Sequence, residues 1–477
     1  MLFVFSLLCA FTVVQGLTFD TRESNVQLFP RNGQKNVNPD TQIRLKFSSQ
    51  PTIGESGVVR IYDVADNRLV DSLNLSIPIS PSPYGNGSTK ANYTDKTTYQ
   101  TNIIGGMDFY FFPIIVRDNV ATIYLHNNRL EYNKTYNINI DPGVLTLRDN
   151  GYGNATFNGF SSNSSWTFTT KPTGPSPGTT SVTVAADGSA DFTTVQGALD
   201  WAPANPTKTT TIFIKDGNYE ELVFFQYKTN LIIRGESHNK TTLGYPNNSA
   251  FNPPNRQGPS RRPAFSFRGI ADLQLSNFAI TNYYRGQAEA LLIDGMRIVL
   301  DRMYLNGSGD ALTTYGTAYI TDTTLYGDGD TVLGYGSVFW KKSTIITTAG
   351  AVTWTRTSQN THGNVLLNCT IISRQGNSTF ARLPDNTGGV LANWPYAEMI
   401  LINTRTEGIA DEGWGPVQGP PFDSSNVKFW EYGTTDLEGR SVDLSKRLGV
   451  SRQLESVPEE YLDPAWVLGG WTPQVIE

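Results

Sequence analysis

Between Asn277 and Thr406 the chain repeats one short phrase, in which a polar residue is followed two or three positions later by an apolar, often β-branched one. It reads Asn277-Phe-Ala-Ile280, Asp301-Arg-Met-Tyr-Leu305, Asp322-Thr-Thr-Leu-Tyr326, Lys342-Ser-Thr-Ile-Ile346, Asn368-Cys-Thr-Ile-Ile372 and Asn403-Thr-Arg-Thr406, with starts 24, 21, 20, 26 and 35 residues apart. A drifting period of about 20 to 25 residues, with β-branched runs and Gly- or Asp-rich corners, is the mark of a parallel β-solenoid. The leucine-rich and helical signatures of other repeats with such periods are missing. One segment, Phe192 to Ala202, has helical periodicity, with Val195, Leu199 and Ala202 on one stripe, and is expected to cap an end of the solenoid.

The repeat covers only part of the 477 residues, and about 150 residues per domain suggests two or three domains. Residues 17–170 alternate apolar and polar positions in short runs: Ile43, Leu45 and Phe47 share a face, as do Ile138 and Ile140, and Trp166 and Phe168. Turn residues such as Asn32-Gly33 separate the runs, which is the pattern of a β-sandwich. The Pro- and Gly-rich stretch 171–180 reads as a linker. It holds a formal G-x-S-x-G at Gly174 to Gly178, but prolines flank the serine and preclude the sharp strand-to-helix turn that a nucleophile elbow needs. Residues 181–477 form the solenoid domain.

Charged residues are 17% of the chain, against roughly 25% in an average soluble protein. The formal net charge of −6 argues against nucleic-acid binding. Met1 to Gly16 is apolar from Leu2 to Val14 apart from Ser6 and Thr12, and reads as a signal peptide, although no basic residue precedes the run. It is too short for a transmembrane helix, which takes about 20 apolar residues. Eleven Asn-x-Ser/Thr sequons, among them Asn74, Asn92, Asn133, Asn163, Asn239, Asn306 and Asn377, fit an extracellular glycoprotein. Cys9 would leave with the signal peptide and Cys369 follows an apolar run, so no internal disulfide is expected and Cys369 reads as a core residue.

A solenoid converts sequence spacing into proximity, because residues one period apart stack about 4.8 Å apart on neighbouring strands. Gln287, Asp310 and Asp330 are separated by 23 and 20 residues, and are therefore expected on successive coils of one sheet. Two carboxyls at that spacing divide naturally into one proton-bearing and one ionised group. A cation is needed to hold the second ionised, and Arg382, in the strand-like run Ser378 to Leu383, is the candidate. The bland alternative is that both aspartates are solvated corner residues.

Five motifs in order extend this reading. Ala186-Asp-Gly-Ser-Ala-Asp-Phe192 with Val195-Gln196, Gly217-Asn-Tyr-Glu-Glu221, Gln287-Ala-Glu-Ala-Leu291, Gly309-Asp-Ala-Leu312 and Gly327-Asp-Gly-Asp330-Thr-Val-Leu-Gly334 resemble successive motifs of the pectin methylesterases. The resemblance runs from Val182 to the C-terminus. It implies a right-handed, single-stranded parallel β-helix and an esterase that removes methyl groups from homogalacturonan. Carried over position by position, Asp330 would be the nucleophile, Asp310 the general acid and base, Gln287 an oxyanion donor, and Arg382 the cation beside the nucleophile. Asn393 marks a rival placement of the arginine motif, and Asp328 is the alternative nucleophile if the strand there is regular. The family glutamine before the first aspartate is Gly309 here, Thr331 replaces a phenylalanine, and the tryptophan that follows the family arginine is missing from its usual place. Trp354 and Trp394 are the candidates for stacking on sugar, with packing in the core or at its rim the equal alternative for each. The stretch Pro30 to Phe47 followed by Val58 to Tyr62 resembles bacterial Ig-like domains.

No cofactor or metal is implied, and the expected partner is methyl-esterified pectin, bound by a monomer with no membrane or nucleic-acid contact. Competing readings are a calcium-dependent pectate lyase, which the motif order does not fit, an inverting polygalacturonase, faintly suggested by Thr361-His362-Gly363, and a β-helix that binds pectin without turnover. Arg261-Arg262 reads as a solvated loop or a grip on galacturonate carboxylates. His238 and His362 read as structural or exposed.

Overall fold

The structure is a computed structural model that describes residues 20–23, 26–86, 98–149, 153–161, 166–253, 259–382, 394–415 and 424–477. The signal-peptide segment and Asn393 lie outside the described residues.

Residues beyond Ser181 wind into a parallel β-helix. One long ladder runs from Ser181–Val184 through Thr210–Ile214, Thr229–Gly235, Phe265–Ser276, Leu291–Asp301 and Leu312–Thr321 to Ser337–Lys341 and on to Ser451–Gln453. A second, eight-stranded ladder runs from Gly217–Glu220 to Arg405–Glu407. Its rungs align Leu305, Leu325, Ile345 and Ile371, all nearly inaccessible. Each such side chain contributes roughly 1.5–3 kcal/mol by leaving water.

The repeated polar residue has a backbone reason. Asn277, Asp322, Lys342, Asn368 and Asn403 have φ between 48° and 63°, and turn the chain from the first ladder into the second. The left-handed region is open to Asn and Asp at low cost, which explains their frequency at this corner. In the second repeat the turning residue is Arg302, φ 51°, one position after the Asp301 at which the phrase was aligned.

A third face carries the site. The strands Phe265–Ser276, Leu291–Asp301 and Leu312–Thr321 bend near Gly269, Gly295 and Gly316, so that their first halves form a separate wall. Val332–Gly334, Ala351–Thr355 and Thr379–Arg382 extend that wall. At Gly316 (φ 157°) and Gly334 (φ 121°) a Cβ would lie 1.7 and 2.0 Å from the carbonyl oxygen of the coil before, so the bends admit only glycine.

The helix Val195–Trp201 covers the first coil, with Val195, Ala198 and Leu199 buried in the β-helix core and Thr194 as its N-cap. The last residue of the Gly217–Glu221 motif has a structural task. Glu221 accepts both the Val195 and Gln196 N–H groups at 2.9 Å.

The N-terminal residues form two five-stranded sheets, largely antiparallel, that share a core including Ile43, Leu45, Ile138 and Trp166. This unit is docked on the β-helix. Phe109, Ile104 and Ile115 enter the β-helix core, the Tyr110 backbone pairs with the Asn252 amide, Arg117 pairs with Glu220, and Asp40 accepts the Thr193 and Thr194 N–H groups. Stretch 171–180 is tied down as well: Lys171 donates from its backbone to Val37 and from Nζ to Ala190.

Candidate active site

Asp310 and Asp330 occupy equivalent corners one coil apart. Each precedes by two residues the paired positions Leu312 and Val332, and each has left-handed φ, 58° and 40°. The corner conformation alone is compatible with ordinary turn aspartates. Their surroundings are not those of solvated turns. Asp310 is 4% exposed, and Asp330 is gripped by Arg382, whose Nε donates to Oδ1 at 2.9 Å and whose terminal nitrogen donates to Oδ2 at 2.5 Å. A two-point guanidinium–carboxylate contact fixes the orientation of the acid.

Arg382 is brought there by register. It pairs with Trp354, which pairs with Leu333 on the coil of Asp330, so the arginine reaches back along the wall. Asp328 is held differently. The strand is not regular there: Gly329 (φ 101°) and Asp330 turn the chain, and the Asp328 carboxylate faces Ser308, Thr348 and Arg285 instead. Gln287 is exposed and stands beside Gly309 through a β-bridge.

Burial pushes Asp310 above the ordinary carboxylate range; Arg262 opposes the rise, Asp330 adds to it, and Arg356 and Arg382 oppose it more weakly. An acid gripped by its arginine beside an acid that burial makes slower to give up its proton suits nucleophile and proton donor respectively.

The structure gives Arg262 and Trp354 surroundings other than the ones expected of them. Arg262 is an internal residue rather than a solvated loop or a grip on substrate: its Nε donates to Glu289 at 2.6 Å and a terminal nitrogen lies 3.1 Å from Asp310 Oδ2. Arg261 is likewise buried, bonded to Pro253 and Asp108. Trp354 does not present a bare ring for sugar, because the guanidiniums of Arg356 and Arg382 lie over it at 3.8 and 4.2 Å from its centroid. Trp394 is half-buried against the β-helix core. The aromatic surface at this wall comes instead from Tyr315 and Tyr335, stacked at 4.7 Å on adjacent coils. Thr331 points inward and bonds Thr347. His362 is a structural residue, bonded to Glu398, and Cys369 is a buried free thiol.

The sequence reading missed Glu289 and Arg356, and named Arg262 without its internal role. Glu289 sits in the variable position of Gln287-Ala-Glu-Ala-Leu291, and nothing in composition distinguishes a buried arginine after a Pro-rich run from an exposed one.

With this geometry in place, comparison with known proteins is decisive at the level of family: residues 181–454 match the Pectinesterase family model. The chain belongs to the pectinesterase family. That family comprises carboxylic ester hydrolases. Among curated relatives, a pectinesterase of Petunia integrifolia is 27% identical over 288 residues, 56% of this chain and 72% of that protein. Among solved structures, pectin methylesterase from carrot aligns with 62% of this chain and 95% of its own, at TM-score 0.52 and 20% identity. The pectin methylesterase of Erwinia chrysanthemi aligns at TM-score 0.50 and 20% identity, over 62% of this chain and 98% of its own. These likenesses establish a pectinesterase-type parallel β-helix.

Proposed function

We propose that the protein is a secreted, glycosylated pectin methylesterase that hydrolyses galacturonate methyl esters of homogalacturonan to pectate and methanol. The observation that carries this reading is the pairing of Asp330 with Arg382 at 2.9 and 2.5 Å one coil from the buried Asp310. Asp330 attacks the ester carbonyl and forms an acyl-enzyme anhydride. Asp310 passes its proton to the departing methoxide oxygen, then takes a proton from the water that cleaves the anhydride. Gln287, exposed on the coil above, donates to the oxyanion. The protein acts as a monomer, without a cofactor. The N-terminal sheets are an Ig-like sandwich, and residues 1–16 are a signal peptide.

Gly309 favours one rival, a β-helix that binds pectin without turnover, because a missing oxyanion donor costs about 2.7–4 kcal/mol in transition-state stabilisation. The deciding experiment is methanol release from highly methylated pectin by wild type and by Asp330→Asn, Asp310→Asn and Asp328→Asn, with and without chelator. The esterase reading expects chelator-insensitive release that the first two substitutions abolish and the third spares. Pectin binding without methanol release would transfer the protein to the rival class.

A further inference from the structure

We propose that Arg262 and Glu289 are positioning residues which, between them, orient Asp310 and keep it supplied with the proton it must deliver; this role rests on the esterase reading of Asp310. Three successive coils converge to build the group. Arg262 precedes the strand Phe265–Ser276, Glu289 lies on the next coil through the Ala264 N–H to Glu289 carbonyl bond, and Asp310 on the one after, where Ala290 donates to Ala311. Glu289 is inaccessible to solvent and the Arg262 side chain is 15% exposed. The Arg262 Nε is committed to Glu289 Oε1, which also accepts from Thr313 Oγ1 at 3.2 Å.

The other oxygens make the arrangement unusual. Glu289 Oε2 and Asp310 Oδ2 are buried and neither receives a hydrogen bond. The Arg262–Asp310 contact of 3.1 Å is within ion-pair distance but lies off the hydrogen-bonding axis. Two buried carboxyl groups thus share one guanidinium. If both were ionised, two buried negative charges would face the one guanidinium in contact with them, with Arg356 and Arg382 acting only more weakly from beyond it. The pair therefore holds a proton more tightly than either acid would alone with Arg262, and titrates as a unit. Burial pushes Glu289 up to about 7, with Arg262 opposing and Asp310 reinforcing the rise. The remaining charged or titratable neighbours of Asp310 and Glu289 are Asp330 on Arg382, Arg356 and Tyr315.

The consequence for turnover has a sign. A second carboxyl competing for Arg262 makes Asp310 a weaker acid than it would be alone with the arginine, so Asp310 stays proton-loaded to higher pH. During acylation that proton leaves Asp310 for the methoxide oxygen as the ester C–O bond breaks. During deacylation a water proton returns to it, and Glu289 undergoes no covalent change.

The test measures kcat and KM against pH on methylated galacturonan for wild type, Glu289→Gln, Glu289→Asp and the Arg262→Gln/Glu289→Gln double variant, with melting temperature against pH for each. Glu289→Gln leaves Asp310 alone with Arg262, and the alkaline limb of kcat is expected to move down by about one pH unit, a tenfold loss above it, with KM unchanged. Glu289→Asp restores the limb, and the double variant, which removes anion and cation together, returns it toward wild type even if the single variant folds poorly. Wild type is expected to lose stability relative to Glu289→Gln as pH rises from about 4.5 to about 7, because an acid whose proton is held more tightly in the folded state stabilises that state only while protonated. An unmoved limb in active enzyme, or a melting difference independent of pH, overturns the role. A wild type that releases no methanol overturns the esterase reading and this role with it.

Discussion

At the scale of single residues the site depends on a two-point grip. Arg382 is a fork whose nitrogens meet both oxygens of Asp330, whereas lysine offers one compact charge on a flexible stem. Arg382→Lys should therefore preserve folding but let the carboxylate rotate, and a misplacement of about 1 Å is worth roughly a hundredfold in rate. Steady-state kinetics with an unchanged melting temperature is the check. Gly309 makes the opposite point. A glutamine here adds an amide donor, yet a Cβ at 309 would stand 2.9 Å from the Gly286 carbonyl oxygen. Gly309→Gln is expected to lower the melting temperature without raising kcat, and a gain in kcat would show that the Gly286 turn can yield. Gln287, Asp310 and Asp330 were legible in the sequence because a solenoid turns a period into a contact. Glu289 and Arg262 were not, since their meaning arises from burial across three coils.

At the scale of elements, what the sequence displayed was the corner rather than the strand. Asn277, Asp322, Asn368 and Asn403 advertised the left-handed turn through residue type, and the slip between Asp301 and Arg302 arose because arginine carries no such signature. The bends at Gly295 and Gly316 that separate the site wall from the main ladder were not legible, because glycines are frequent throughout the chain and only the close approach of two coils distinguishes these. The same bends place Tyr315 and Tyr335 on adjacent coils, with Tyr335 49% exposed and Tyr315 close enough to Arg262, Glu289 and Arg356 to feel their charges. A stacked, exposed aromatic at the end of the site wall suits the apolar face of a sugar ring, a contact worth about 0.5–1.5 kcal/mol. Tyr335→Ala should raise KM by up to about tenfold and leave kcat unchanged, since such a contact is made equally in ground and transition states. A fall in kcat at constant KM would instead tie the stack to the placement of the arginines.

At the scale of the whole molecule the N-terminal sheets are not a tethered appendage, although the Pro- and Gly-rich stretch after them suggested one. Composition identifies a stretch that can be flexible; it does not reveal that Phe109, Ile104 and Ile115 enter the β-helix core or that Asp40 and Glu221 meet beside one helix. Glu221 is buried and Asp40 half-buried, and desolvation raises both, Glu221 to about 7, against the hydrogen bonds from the helix N-terminus that lower them. An acid raised in this way stabilises the fold below its unfolded value, near 4.5, and loses that contribution as pH climbs through the folded value. For Glu221 the change between those limits is on the order of 3 kcal/mol. Glu221 bonds within the β-helix unit and Asp40 bonds across to it, so the Glu221 share of the loss falls on the first coil and the Asp40 share on the docking of the N-terminal sheets. Calorimetry should accordingly give a single unfolding transition near pH 5, with the melting temperature falling toward pH 7.5. Two separated transitions at pH 5 would mean that the shared core does not couple the units, and a melting temperature flat across that range would mean that the helix N–H groups hold Glu221 as a carboxylate throughout.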